Sequence, residues 1–186
     1  MEKLTPIPAS ISESKDVRSI TLTRAWKRSA VQLAFLTFFC IAWNSFLIFW
    51  YSMAFSTESP WIMKVFPIAH VAIGVGLTYF LFASYLNRTD IRIASSKIHI
   101  RTHPVPWRGN RTISTSQIAQ IFVTKETSSN DRNVREVFHL HYIDKANQQQ
   151  AILHHLESPQ EALYLERRLL EILKLDRMEV AGAYRG

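Results

Sequence analysis

Apolar and polar positions divide the chain into three regimes. Residues 30–55 (AVQLAFLTFFCIAWNSFLIFWYSMAF) and 65–86 (VFPIAHVAIGVGLTYFLFASYL) are nearly unbroken apolar runs. After Asn87 the apolar positions alternate, and after Ser158 they recur at helical spacing. The first run is uncharged for about 26 positions, about 39 Å of helix against a hydrocarbon core of roughly 30 Å. The second also suffices to span. Two such runs back to back argue against buried helices of a soluble protein. A cleaved signal peptide would have an apolar region of only about 7–15 residues, with small residues at a cleavage site. The short connector, residues 56–63, makes the two helices antiparallel neighbours. Pro67 falls in the first turn of the second, where a missing N–H costs little.

Charge adds a direction. The chain has 22 Lys+Arg and 15 Asp+Glu, a formal net charge of +7. Lys3, Lys15, Arg18, Arg24, Lys27 and Arg28 precede the first run; Arg88, Arg92, Lys97 and Arg101 follow the second. The connector carries Glu58, with Lys64 at its edge. The positive-inside rule then predicts a plasma or inner membrane protein with both termini cytoplasmic. Interfacial aromatics agree: Trp26 and Tyr85 at the inner edge, Trp50, Tyr51 and Trp61 at the outer. The single cysteine, Cys40, excludes an internal disulfide, and no Cys/His spacing offers a zinc site.

Asn44, Ser45 and His70 interrupt the apolar runs. Polar side chains facing lipid would lose their hydrogen bonds, so the expectation is a polar contact between the helices that sets their rotation. A proton path through His70 is the sharper alternative, and His70 lacks a carboxylate partner in either run. Ala72 and Gly76 form a small-xxx-small pair, expected to pack on the first helix or on a second copy.

Beyond the runs, DIRIA (90–94) and KIHIRT (97–102) read as a β-hairpin turning at Ser95–Ser96. A proline-rich link, HPVPWRGNR (103–111), follows, with Gly109 and Asn110 as turn residues. Strands are expected at 118–125, at 135–143 with Phe138, Leu140 and Tyr142 facing the core, and at 150–156. A mobile polar loop is expected at 127–133. Ser158, Pro159 and Glu161 make a capping box, and Ala162, Leu165, Leu169 and Ile172 one apolar stripe of a closing helix. Residues 176–186 show no pattern and are expected to fray. The predicted organisation is a cytoplasmic segment (1–28), a transmembrane hairpin (29–87), a cytoplasmic domain (88–175) and a flexible tail (176–186).

The TDIRI–KIHIRTHPVPW stretch, the IAQIFVTKE strand and the SPQEALYLERRLLEIL helix together resemble the bacterial membrane proteins that carry a pleckstrin-homology-like (PH-like) domain on or between membrane spans. The resemblance covers roughly half the chain and rests on loose patterns. It implies an α+β membrane protein, in which a transmembrane α-hairpin is followed by a PH-like antiparallel β domain capped by a C-terminal helix. It implies a scaffold or sensor and transfers no catalytic residue. Some related chains carry a Cys-pair zinc ribbon before the first span; this chain has no cysteine there, so no metal site carries over.

Candidate chemistry is correspondingly sparse. Arg88, Arg92, Arg101, His103, Trp107, Arg108 and Arg111, with Lys97, are candidates for binding lipid headgroups or a partner, since anionic headgroups attract each nearby cation. Stop-transfer charge explains the first few equally well. His139, His141, His154 and His155 suggest a metal cluster if strand pairing sets His139 opposite His154, but a one-residue slip destroys it, and exposed strand histidines are the default. No nucleophile elbow, P-loop, GxGxxG, HExxH or paired acids appear, so no enzyme, cofactor or metal is predicted. Trp107 beside Arg108 is poor evidence for nucleic acid in a tethered domain of mixed charge. The expected role is a non-enzymatic membrane protein presenting its β domain at the cytoplasmic face to a protein or lipid headgroup. An accessory subunit of a larger membrane complex, touching through Trp43, Phe46 and the Ala72/Gly76 face, is the alternative. A small transporter or enzyme around His70 is the less favoured one. Homodimerisation fits either of the first two.

Overall fold

The computed structural model describes residues 7–26, 28–56, 58–130 and 133–186. Lys3 and Lys27, counted above among the N-terminal cations, lie outside them. The architecture is mixed α+β: two apolar helical spans, antiparallel sheets and a C-terminal helix. The chain divides into two compact units. One comprises Ala25–Thr89 and Arg101–Asn110; the other comprises Met1–Arg24, Asp90–Ile100 and Arg111–Gly186.

The first unit is helical. Helix α1 spans Ala30–Ser56, α2 Trp61–Val65 and α3 Ile68–Leu86. Two spans, Ala30–Ser56 and Trp61–Leu86, are long and apolar enough to cross a membrane, and only 11% of each apolar window is buried. A core helix of a soluble domain would hide most of that surface. The second span was expected to be unbroken over 65–86. It starts earlier and breaks at Pro67, which occupies the N-cap of α3. Proline cannot donate the N–H that an unbroken ladder requires, and its ring crowds the preceding turn.

Helix α1 buries Cys40, Leu47 and Ala54, α3 buries Gly74, Ala83 and Ser84, and Cys40 Sγ lies 3.3 Å from Thr78 Oγ1 across the pair. A Cβ on Gly74 would lie 3.1 Å from Asn44 Oδ1 and 3.2 Å from Leu47 and Trp43. The small residue that admits α1 is therefore Gly74. Ala72 and Gly76, expected to pack on the first helix or on a second copy, are exposed, and a Cβ at Gly76 would meet nothing within 4 Å, so they do not pack on α1. A two-residue offset is about 200° around a helix, so position 74 faces α1 only if 72 and 76 turn away.

The second unit holds most of two sheets. Strands β1 (Ile11–Asp16), β2 (Ser19–Ala25), β3 (Arg88–Ala94), β4 (Lys97–His103) and β5 (Arg111–Ser114) form a five-stranded sheet in that order. Strands β6 (Ile118–Asn130), β7 (Asn133–Asp144) and β8 (Gln149–Leu156) form a three-stranded one. Leu22, Ile91, Ile98, Phe138, Leu140 and Leu165 sit in the shared core. Ser95 and Ser96 adopt left-handed φ of 47° and 64°, the two-residue turn that matches strand twist.

Four details depart from the sequence expectations. The N-terminal segment, assigned no element, supplies β1 and β2, and its Ile11 and Leu22 are core residues. The link after Asn110 enters β5, paired with β4 from Lys97↔Ser114 to Ile100↔Arg111. The expected loop at 127–133 is largely ladder: β6 and β7 pair out to Asn130↔Asn133, with 131 and 132 outside the described residues. Cross-strand backbone bonds replace the water that polar side chains suggested. The expected fraying tail instead lies along β6: Tyr184 N donates to Val123 O at 2.7 Å, and the Tyr184 ring packs 4.9 Å from Phe138.

Helix α4 (Pro159–Leu173) closes the unit. Ser158 Oγ accepts from Glu161 N at 3.4 Å, which is half of the capping box. The Glu161 carboxylate turns instead to Arg24, at 2.9 Å, and to Ser10. Ala162, Leu165 and Leu169 are buried, while Ile172 is half-buried. Arg168 clamps Glu13 of β1 and Glu171. Its guanidinium hydrogen bond holds Glu13 below the usual carboxylate range. Burial pushes Glu166 up, against the pull of Arg177 at 3.1 Å.

Candidate functional site

The proline-rich stretch Arg101–Asn110 belongs to the helical unit, and polar bonds hold it there. Asn87, the C-cap of α3, accepts from Val105 N through Oδ1 at 2.8 Å. Asn110 Oδ1 accepts from Thr102 N at 2.7 Å. Trp26 Nε1 donates to Thr89 Oγ1 at 3.0 Å, and Thr89 bonds Thr102. Trp107 is then set among aromatic rings: edge-on to Trp26 at 5.3 Å, stacked on Tyr79 at 6.2 Å and tilted on Phe80 at 6.1 Å. Tyr79 Oη donates to the Pro106 carbonyl. The Arg28 guanidinium lies 4.9 Å over the Phe80 ring, a cation–π contact.

Around this aromatic cluster Arg88, Arg101 and Arg108 are exposed and His103 is half-buried. The unit contains a single acidic residue, Glu58. The predicted binding set therefore splits. Arg88, Arg101, His103, Trp107 and Arg108 fall in the helical unit, whereas Arg92 and Arg111 fall in the β unit. Arg92 is exposed; Arg111 donates to the Ile152 carbonyl at 2.8 Å. Sequence reasoning missed Arg28, Tyr79 and Phe80. The signal was present, since aromatics crowd the C-terminal turns of α3, but nothing in the pattern joined them to Trp107.

The polar residues in the spans are arranged differently from expectation. Asn44 Nδ2 donates to Cys40 O at 2.7 Å and reaches Thr78 Oγ1 at 3.3 Å. Asn44 thus makes a polar contact across the hairpin, with Thr78 as its partner. The His70 ring sits between Trp43, at 5.9 Å, and Phe66, at 5.3 Å, with Nδ1 buried and unbonded. The His70 carbonyl accepts from Trp43 Nε1 at 3.1 Å. Ser45 is exposed on α1. Trp50 Nε1 donates to Met63 O at 3.0 Å and Tyr51 Oη to Lys64 O at 3.3 Å, seating α2 against α1.

The histidines converge in the β unit. His139 and His154 approach to 3.4 Å between Nδ1 atoms, and His139 Nε2 lies 3.2 Å from Glu126 Oε2. The rings of His141 and His154 are 6.3 Å apart. The register is irregular: Phe138 pairs with Leu156 and Leu140 with Leu153, so His139 faces a bulge holding His154 and His155. Desolvation, then the charge of His139, lowers the pKa of both His141 and His154. No group of three or more His, Cys, Asp or Glu among the described residues is poised to hold a metal ion as it stands.

No protein-family model matches the chain, and no curated protein is similar to it at a significant level.

Proposed function

We propose that the chain is a non-enzymatic integral membrane protein whose β domain is presented at the cytoplasmic face and whose exposed arginines bind anionic lipid headgroups. In this reading α1 and α2–α3 span the plasma or inner membrane with both termini cytoplasmic. The β unit is PH-like: two antiparallel sheets around one core, then one amphipathic helix, is the order the sequence resemblance predicts. The observation that carries headgroup binding is the Trp107 cluster. Aromatic rings and exposed Arg88, Arg101 and Arg108 share a unit with two membrane-capable helices and a single acid. Tryptophan and tyrosine favour the headgroup level, and each nearby cation gains about 1 kcal/mol from anionic lipid.

Native mass spectrometry of the full chain in detergent, titrated with phosphatidylglycerol or phosphatidylcholine, tests this. The chain should retain the anionic lipid preferentially. Replacing Arg88, Arg101 and Arg108 together by Ala should cost that preference about 3 kcal/mol, roughly 100-fold. Arg92→Ala, in the other unit, should leave it unchanged. Equal retention of both lipids would remove headgroup binding from the proposal. Residues 88–186 alone are a poor probe, because β1 and β2 would be missing from the sheet.

The exposed Ala72/Gly76 face favours a second reading, an accessory subunit of a larger membrane complex or a homodimer. Small residues let another helix approach closely, and α1 does not use them. Co-purification of a stoichiometric partner in mild detergent, lost on Gly76→Leu, would support it.

A further inference from the structure

We propose that His139, His141 and His154 form a binding site for a zinc-like divalent transition-metal ion, with Glu126 as the carboxylate that orients His139.

Two donors already have the required spacing. Tetrahedral zinc holds imidazole nitrogens at about 2.0–2.1 Å, which puts two of them about 3.3–3.4 Å apart. His139 Nδ1 and His154 Nδ1 are 3.4 Å apart. The same distance also suits a hydrogen bond between the rings, which is the competing account. Three further observations favour a metal.

First, the far side of His139 is engaged by an acid, Glu126 Oε2 at 3.2 Å from Nε2. A ligating histidine characteristically donates its other N–H to a carboxylate, which fixes the tautomer and turns the bare nitrogen toward the ion. With Nε2 donating to Glu126, the nitrogen left for the ion is Nδ1, the atom facing His154. Second, His141 supplies a third imidazole on the same face of β7, since side chains two apart share a face. Its Nδ1 is buried without a hydrogen-bond partner, and its ring stacks on Phe122 at 5.7 Å. A buried nitrogen with no partner is costly unless something occupies it. Third, the ring centroids of His139, His141 and His154 are separated by 5.5, 6.0 and 6.3 Å. Three imidazoles on one tetrahedral ion would stand about 5 Å apart. Closing the site requires the His141 and His154 side chains to turn inward, and imidazole ligands suit zinc, copper, nickel or iron.

The bulge in β8 creates this meeting. In an unbulged ladder one residue of β8 would oppose His139; the irregularity between Phe138↔Leu156 and Leu140↔Leu153 gathers His154 and His155 there, with His155 at φ 58°. Arg111, held at 2.8 Å on the Ile152 carbonyl, bears a positive charge on the same side. That charge opposes a cation, and the Glu126 carboxylate offsets it.

The test uses the full chain purified in detergent without a polyhistidine tag. It is titrated with Co(II) followed by its visible ligand-field bands, and with Zn(II) by calorimetry. One saturable site with tetrahedral Co(II) bands, displaced by zinc, is expected. His139→Asn, His141→Asn and His154→Asn should each weaken binding at least tenfold. Glu126→Gln, at an exposed acid, should weaken it roughly 10–100-fold. His155→Gln should leave it unchanged. Melting curves without metal identify any variant that fails to fold. Binding unaffected by Glu126→Gln, or retained when all three histidines are replaced, would overturn the proposal, as would no saturable binding at all.

Discussion

The two units are held together in opposite ways. In the helical unit each helix satisfies its own backbone, and the residues that α1 and α3 bury are mostly small: Cys40, Ala54, Gly74, Ala83 and Ser84. The specific ties are side chains reaching a neighbour's carbonyl, as Trp43 does to His70 and Trp50 to Met63. In the β unit the backbone is satisfied only across strands, and large side chains fill the interior: Phe138, Leu22, Ile91 and Leu165. The difference teaches where each unit is vulnerable. Close approach is the limiting quantity in a helix pair, and filled volume is the limiting quantity in a sheet core.

The sharpest test is therefore volume. Phe138→Ala should destabilise the β unit by about 3–5 kcal/mol, and Leu22→Ala by about 2–5 kcal/mol, read by pulse proteolysis of that unit. Leu22 is the more instructive, because a dispensable N-terminal segment would show no such loss. Approach comes next. Gly74→Ala should cost the hairpin about 1–3 kcal/mol by overpacking Asn44, Leu47 and Trp43. Gly76→Ala, one helical face away, should stay within about 0.5 kcal/mol. Thermal melts of the detergent-solubilised chain compare the two, and equal effects would undo the assignment of Gly74 as the contact. Removing the cap with Ser158→Ala should cost α4 about 1 kcal/mol, measured by amide exchange in its first turn.

The smallest effect is electrostatic and pH-dependent. Arg168 lowers the pKa of Glu13 below the 4.5 of an ordinary glutamate. A depressed native value means that the unfolded state takes up the proton first. The contribution is complete above pH 4.5 and is lost as the pH falls through the native value. Glu13→Gln should lower the melting temperature slightly at neutral pH, and the two proteins should converge in acid. Parallel curves across the range would show that the pair has no linkage to folding.

Legibility followed the same division. The spans, the hairpin turn at Ser95–Ser96, the core face of β7 and the Ser158 cap could all be read from local pattern, because each depends on a period or a short motif. The β1–β2 hairpin could not. Its segment offers few apolar residues, and Ile11 and Leu22 become core only once β3 lies beside β2. Strand β5 has one apolar residue, Ile113, and owes its existence to pairing with β4. For the site, the basic residues were legible as charge, but their division between two units was not, since Arg101 and Arg111 are ten residues apart and look alike in sequence. Thr78, the partner of Asn44, was not singled out because a threonine inside an apolar run gives no signal of its own.

By itself the sequence determined two helices long and apolar enough for a bilayer, an alternating region after them and a capped amphipathic helix at the end. Those are properties of consecutive residues, and the free energy behind them is local or belongs to transfer from water. Only the tertiary structure decided that the N-terminal strands complete a sheet, that Gly74 and not the Ala72/Gly76 pair admits α1, that the tail lies along β6, and that a bulge gathers the histidines. Each of these depends on register between segments distant in the chain, where a shift of one residue turns a side chain to the opposite face.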